Sequence, residues 1–158
     1  MGDYIRLEEG SHPEGVVQDI GWRTTKLRTP QDNVVVIPNA KMADTIVTNF
    51  GAPTPEMVAV VNCGVSYESD LDRVHRVVED VARVVLRQTP GAVAGSEPVV
   101  RFRSFGDSNI DFEVLVRVKS FPDRFLVTTA LIKGIHERFQ QEGIQINYPV
   151  RRLITTPG

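Results

Sequence analysis

The chain has 158 residues, 41% of them apolar, with 18 basic side chains against 20 acidic ones and a net charge of −2. That length holds one medium domain or two small ones with real cores, and the charge balance lacks the basic footprint that nucleic acid requires. The longest apolar runs, Val34 to Ile37 and Met57 to Val61, are strand-sized and fall far short of the roughly 18 residues that cross a bilayer.

The net charge arises in the first fifty residues, which carry seven acids and five bases; the remainder balances at thirteen of each. Met1 is followed by Gly-Asp-Tyr-Ile, with neither the basic n-region nor the apolar h-region of a secretory signal. We expect a soluble stretch that starts inside a longer gene product. Cys63 is the single cysteine, so one chain can build neither a disulfide nor a thiolate metal site, which fits cytosolic conditions.

From Gly2 to Phe50, short β-branched runs alternate with turn residues, the pattern of a small all-β unit. The predicted strands are Tyr4 to Glu8, Gly15 to Ile20, Trp22 to Arg28, Val34 to Ile37 and Thr45 to Phe50, with no helix longer than a turn. Five short strands suggest a small barrel. Gly21 is expected to let one long strand bend sharply, and Gln31-Asp32-Asn33 to make a tight hairpin connection. Gly51-Ala-Pro53-Thr-Pro55 then marks the junction, because two prolines restrict φ and supply no amide donor.

The second part switches its hydrophobic period between two and about three and a half, in the order β-α-β-β-α-β. Met57 to Tyr67 reads as a central strand. Ser69-Asp70 offers a helix cap, and the helix to Gln88 carries the stripe Leu71, Val74, Val78, Val81 and Val85. Its valines lower intrinsic propensity, so packing must hold it, with weak support from Glu79 and Arg83. Thr89-Pro90-Gly91 ends it. Strands Val99 to Phe105 and Asn109 to Lys119 flank a Gly106-Asp-Ser turn. In the latter, Ile110, Phe112, Val114, Val116 and Val118 point one way, while Asp111, Glu113, Arg117 and Lys119 point the other. Pro122-Asp123 opens a second helix with the stripe Phe125, Leu131 or Ile132, Ile135 and Phe139, and Gly143 closes it. Ile144 to Tyr148 is expected as the last strand. The fold class is therefore α+β, with residues 1–52 and 56–149 as domains and 150–158 as a tail. Two helices on a four-stranded antiparallel sheet make the second a ferredoxin-like βαββαβ domain.

No constellation for chemistry is visible. His12, His75 and His136 are scattered without acids or Cys63 at ligand spacing, and read as surface or edge positions. Cys63 sits among valines, where a buried thiol is ordinary and an activated one would need a basic neighbour. No glycine cluster joins a strand to a helix, so no phosphate loop is expected. Phe102, Phe105 and Phe112 raise the question of base stacking, yet Phe112 falls on the core stripe and the strand carries acids in place of the RNA-reading pattern. Arg101, Arg103, Arg117 and Lys119 beside Asp111 and Glu113 read as a solvated mixed-charge face. Trp22 is either an exposed aromatic at a subunit contact or a barrel-core residue. We expect no catalytic residue, no cofactor and no metal.

The stretches GVVQDIGWRTTKLRT at 15–29, DNVVVIPNAKM at 32–42 and IVTN at 46–49, preceded by GDYI at 2–5, closely resemble the β-domain of the small-conductance mechanosensitive channel family. NYPVR at 147–151 is similar to the family's closing aromatic-proline segment. The resemblance spans nearly the whole chain. It implies a small Sm-like β-barrel leading into the ferredoxin-like module, and it marks Gly21, Arg23, Thr24, Pro38, Asn39 and Asn49 as family-motif structural residues. It further implies an inner-membrane channel whose present portion faces the cytoplasm and is not itself inserted in the bilayer. The expected partners are copies of the chain, a heptamer in the family, and upstream transmembrane helices, with no nucleic acid. On that reading the stretch serves assembly and solute filtering and is not an enzyme. The alternatives are an RNA-binding or ligand-sensing module built on the same folds.

Overall fold

The computed structural model describes residues 1–151 and 153–155. It divides into two compact units: Met1–Met57 with Lys119–Phe121, and Val58–Val118 with the chain from Pro122 onward. The expectation of two consecutive stretches misses Lys119–Phe121. Phe121 is fully buried in the first unit, stacked on Tyr4 at 4.2 Å and tilted against Phe50 at 4.3 Å between ring centroids. Aromatic burial, which sequence distance does not report, recruits that run.

The first unit contains strands β1 (Tyr4–Leu7), β2 (Glu14–Ile20), β3 (Thr24–Arg28), β4 (Val34–Pro38) and β5 (Val47–Asn49), with a short helix α1 (Asn39–Asp44) between the last two. They form one antiparallel sheet in the order β4-β3-β2-β1-β5. Ile5, Leu7, Val17, Leu27 and Ile37 gather into its core, with Val35 and Met42 against them. Gly15 faces Ile5 across β1, and a Cβ there would lie 2.3 Å from the Arg28 carbonyl oxygen. Only the absence of a side chain lets these backbones approach so closely.

Two expectations for this unit are corrected. Gly21 does not bend one long strand: β2 ends at Ile20, and Gly21 N donates to Thr24 O at 2.8 Å across a hairpin into β3. The irregularity lies instead between Val17 and Asp19, where the register shifts against β3, and such bulges bend and twist a sheet. A six-residue helix also stands where no more than a turn was expected. Ala40, Lys41, Met42 and Ala43 favour helix, but six residues are too few to display a period. The Thr29–Asn33 connection is a tight hairpin as expected: Thr29 N donates to Asn33 O at 2.8 Å, and Asp32 adopts φ 66°. The Arg28 side-chain hydrogen bond there holds the Asp32 carboxyl below its ordinary range.

The second unit contains β6 (Met57–Val65), α2 (Leu71–Gln88), β7 (Val99–Phe105), β8 (Ile110–Val118) and α3 (Asp123–Glu142). The Asp70 side chain caps α2 by accepting from the amides of Asp72 and Arg73. Val74, Val77, Val78, Val81, Ala82, Val85 and Leu86 form its buried face. β7 and β8 pair antiparallel, with Phe102 opposite Phe112 and Phe105 opposite Ile110. On α3 the buried stripe is Val127, Leu131, Ile135 and Phe139, so of the alternatives Leu131 points inward, while Phe125 and Ile132 are exposed. Strict four-residue spacing gives the narrower face. Gly143 ends α3 at φ 67°, where Ile144 N donates to Phe139 O at 2.9 Å, the closing bond of a left-handed cap.

The sheet has three strands, β6-β8-β7, and Ile144 to Tyr148 does not join it as a fourth. One ladder-like bond forms, Ser66 N to Gln145 O at 2.8 Å. Thereafter side-chain amides take over: Asn147 N donates to Asn109 Oδ1 (2.9 Å), Asn109 Nδ2 to Asn147 O (3.1 Å), and Asn147 Nδ2 to Ser108 O (3.0 Å). Asparagine competing for backbone groups in this way replaces strand pairing. Within the expected tail 150–158, Arg152 and residues 156–158 lie outside the described residues. Among the described residues no helix is long and apolar enough to cross a membrane.

Candidate functional site

The residues weighed for chemistry stay apart. His12 occupies the β1–β2 turn with φ 49°, its Nδ1 3.8 Å from Glu8. His75 and His136 ride on α2 and α3, and no cluster of metal-ligating side chains forms among the described residues. Cys63 on β6 is half-buried, and burial pushes its thiol up to about 11, which holds it protonated and unreactive at neutral pH. Phe112 is 1% exposed against Phe102 and Phe139, so its ring is unavailable to a nucleobase.

What the first unit does bring together is a clamp around Asn39. Pro38 pairs with Thr24 at the end of the β3–β4 ladder, and the missing proline amide ends the ladder where α1 begins. Asn39 then bonds three ways. Its backbone N donates to Arg23 O, its Nδ2 donates to Gly21 O, and its Oδ1 accepts from Thr25 Oγ1, each at 2.8 Å. Gly21, Arg23, Thr24, Pro38 and Asn39 therefore meet at one place. Thr25, only 4% exposed, completes the clamp and was not singled out from sequence; its signal is a buried hydroxyl position in the alternation of β3. Asn49 lies apart, donating to Asp3 Oδ2 at 3.1 Å and accepting from Gly51 N at 2.8 Å.

The clamp borders an open groove of about 480 Å³ within the first unit. Ile5, Val17, Ile20, Met42 and Val47 are its apolar lining, and Asp3, Thr25, Asn39 and Asn49 its polar lining. Next to the clamp, Trp22 projects at the hairpin tip, 88% exposed, with the Arg23 guanidinium 5.0 Å above its ring. Trp22 is thus not a barrel-core residue.

In the second unit the mixed-charge face has a different organisation from the expected solvated one. Glu113 is only 4% exposed, bonded by Arg101 and, at 3.1 Å, by Arg103. Arg101 lies directly opposite Glu113 in the ladder, and Arg103, two residues along the same strand, reaches the same carboxylate. A buried carboxylate is tolerable because two partners compensate its desolvation. The trio by itself carries one net positive charge, and Asp111 beside it accepts from Ser104 at 3.1 Å.

Residues 1–52 match the family described as "Mechanosensitive ion channel, beta-domain", and residues 59–146 match "Mechanosensitive ion channel MscS, C-terminal". The chain belongs to the MscS family of mechanosensitive ion channels. The large-conductance mechanosensitive channel MscMJLR of Methanocaldococcus jannaschii is 28% identical over 159 residues, covering 97% of this chain and 42% of the relative. The small-conductance mechanosensitive channel MscMJ of the same organism is 28% identical over 151 residues, covering 94% and 41%. The crystal structure of Helicobacter pylori MscS in its closed state aligns with a TM-score of 0.81 at 25% identity, over 99% of this chain and 59% of that one. The chain spans well under half the length of those two relatives. Its α+β architecture is that of an MscS β-domain, consistent with an Sm-like fold, followed by a C-terminal α/β domain consistent with a ferredoxin-like one. The Asn39 clamp lies in the MscS β-domain match, and the Glu113 trio in the C-terminal match.

Proposed function

We propose that this chain is the cytoplasm-facing portion of an inner-membrane mechanosensitive channel that passes ions and small solutes when tension rises. Copies of it, seven by analogy with the family, surround a passage beneath pore helices supplied by the rest of the protein. Its roles are assembly and filtering of solutes, and none of its residues transforms a molecule. Tension favours the open channel because that state occupies more membrane area, a difference between two states that force can bias. The observation that carries this reading is the two MscS matches in order along one chain, supported by the H. pylori likeness over 99% of its length.

The test uses the full-length protein in bacteria lacking their own tension-gated channels. We expect survival of hypo-osmotic shock and stretch-activated currents in membrane patches; no rescue with normal membrane expression overturns the reading. For filtering, neutralising the Glu113 trio together through Arg101→Gln, Arg103→Gln and Glu113→Gln, which leaves no buried carboxylate uncompensated, should shift the reversal potential toward cations in a salt gradient. An unchanged potential removes the trio from the filter.

A further inference from the structure

The Asn39 clamp pins both ends of the tip between β2 and β3. Gly21 O and Arg23 O each accept a 2.8 Å hydrogen bond from Asn39, and Gly21 N donates to Thr24 O at the same distance. The clamp thus presents the chain's single tryptophan outward, 88% exposed, beside an exposed Ile20. Arg23 is held 5.0 Å over the indole, so one cation and one large amphipathic ring share a rigid tip. No carboxylate pairs with Arg23 among the described residues; the nearest along the hairpin, Asp19, is taken by Lys26 at 3.3 Å.

Tryptophan concentrates at the boundary between hydrocarbon and headgroups, where its ring is sheltered and its N–H stays wet. An unpaired arginine beside it is drawn to anionic lipid phosphate. We propose that the Gly21–Thr24 tip is a bilayer-interface contact, with Trp22 at headgroup depth and Arg23 on lipid phosphate. This deepens the channel reading, on which it rests for a membrane nearby, by naming the lipid surface as a partner of the β-domain.

A single tip binds weakly, since stable anchoring takes two signals, so the test must remove affinity from the question. The chain with an added N-terminal hexahistidine is held on equimolar phosphatidylglycerol and phosphatidylcholine vesicles by a nickel-chelating lipid. Emission is then compared between brominated and unbrominated acyl chains, a ratio that cancels quenching by nickel. We expect a blue shift and about twofold quenching of Trp22 by the brominated lipid. In a Trp22→Phe/Tyr148→Trp variant, whose new tryptophan replaces a side chain also 88% exposed, quenching should be slight. Arg23→Glu should abolish the preference for anionic over purely phosphatidylcholine vesicles.

Equal quenching at both positions, or none at Trp22, overturns the proposal. So does a blue shift that grows with protein concentration without lipid, which assigns the tip to a second copy. The channel reading stands or falls separately, on shock survival of the full-length protein.

Discussion

The first unit holds its sheet around a cluster of five buried side chains and relies on close backbone approach at Gly15 and polar clamping at Asn39. The second lays helices with seven and four buried residues over its strands and relies on apolar area. Where little area can be buried, single polar or steric details carry a larger share of stability. The first unit should therefore be fragile at points that do not look apolar, and the second at points that do.

The largest effect is expected in the second unit. Phe112→Ala empties a site packed against Phe102 and Phe139 and should cost about 3–5 kcal/mol, measured by denaturant unfolding. A loss under about 1 kcal/mol would mean that this core is not organised around β8. In the first unit, Gly15→Ala sets a methyl against the Arg28 carbonyl and should cost about 3 kcal/mol by forcing β2 from β3. Hydrogen exchange should accelerate in β1 to β3, and unchanged protection there would break the contrast.

Cys63 sharpens the picture of the second unit through pH. Its folded thiol titrates near 11, above the ordinary value of 9, because burial disfavours the thiolate. Stability from this group is fully present below pH 9 and falls as pH rises to about 11, where the unfolded thiol ionises and the folded one does not. About 2 kcal/mol should be lost, a slope that Cys63→Ala removes. An equal slope in that variant would assign the loss to other groups. Smallest, Asn39→Ala strands the buried Thr25 hydroxyl and the Gly21 carbonyl at about 1–2 kcal/mol. Its marker is faster exchange of the Gly21 amide, with β6 to β8 unaffected.

Much of the fold was legible because local signals agreed. The β7 bounds, the α2 cap at Asp70 and the Gly143 stop follow from alternation and capping chemistry. Ile144 to Tyr148 looked like a strand by composition, but Asn109 and Asn147 settled its backbone bonds from 38 residues apart. The clamp was legible only in pieces: Gly21, Pro38 and Asn39 stood out as motif residues, whereas Thr25 as the hydroxyl partner did not.

Periodicity and turn chemistry act over a few residues, so the chain alone determined the limits of the two long helices, the β7–β8 hairpin and the α+β class. Its motifs carried the family resemblance as well. Tertiary structure decided what depends on distant partners. It placed Glu113 under two arginines, drew Phe121 onto Tyr4, and left Trp22 exposed. The reason is that burial and hydrogen-bond satisfaction belong to neighbours in space, and spacing along the chain does not contain them.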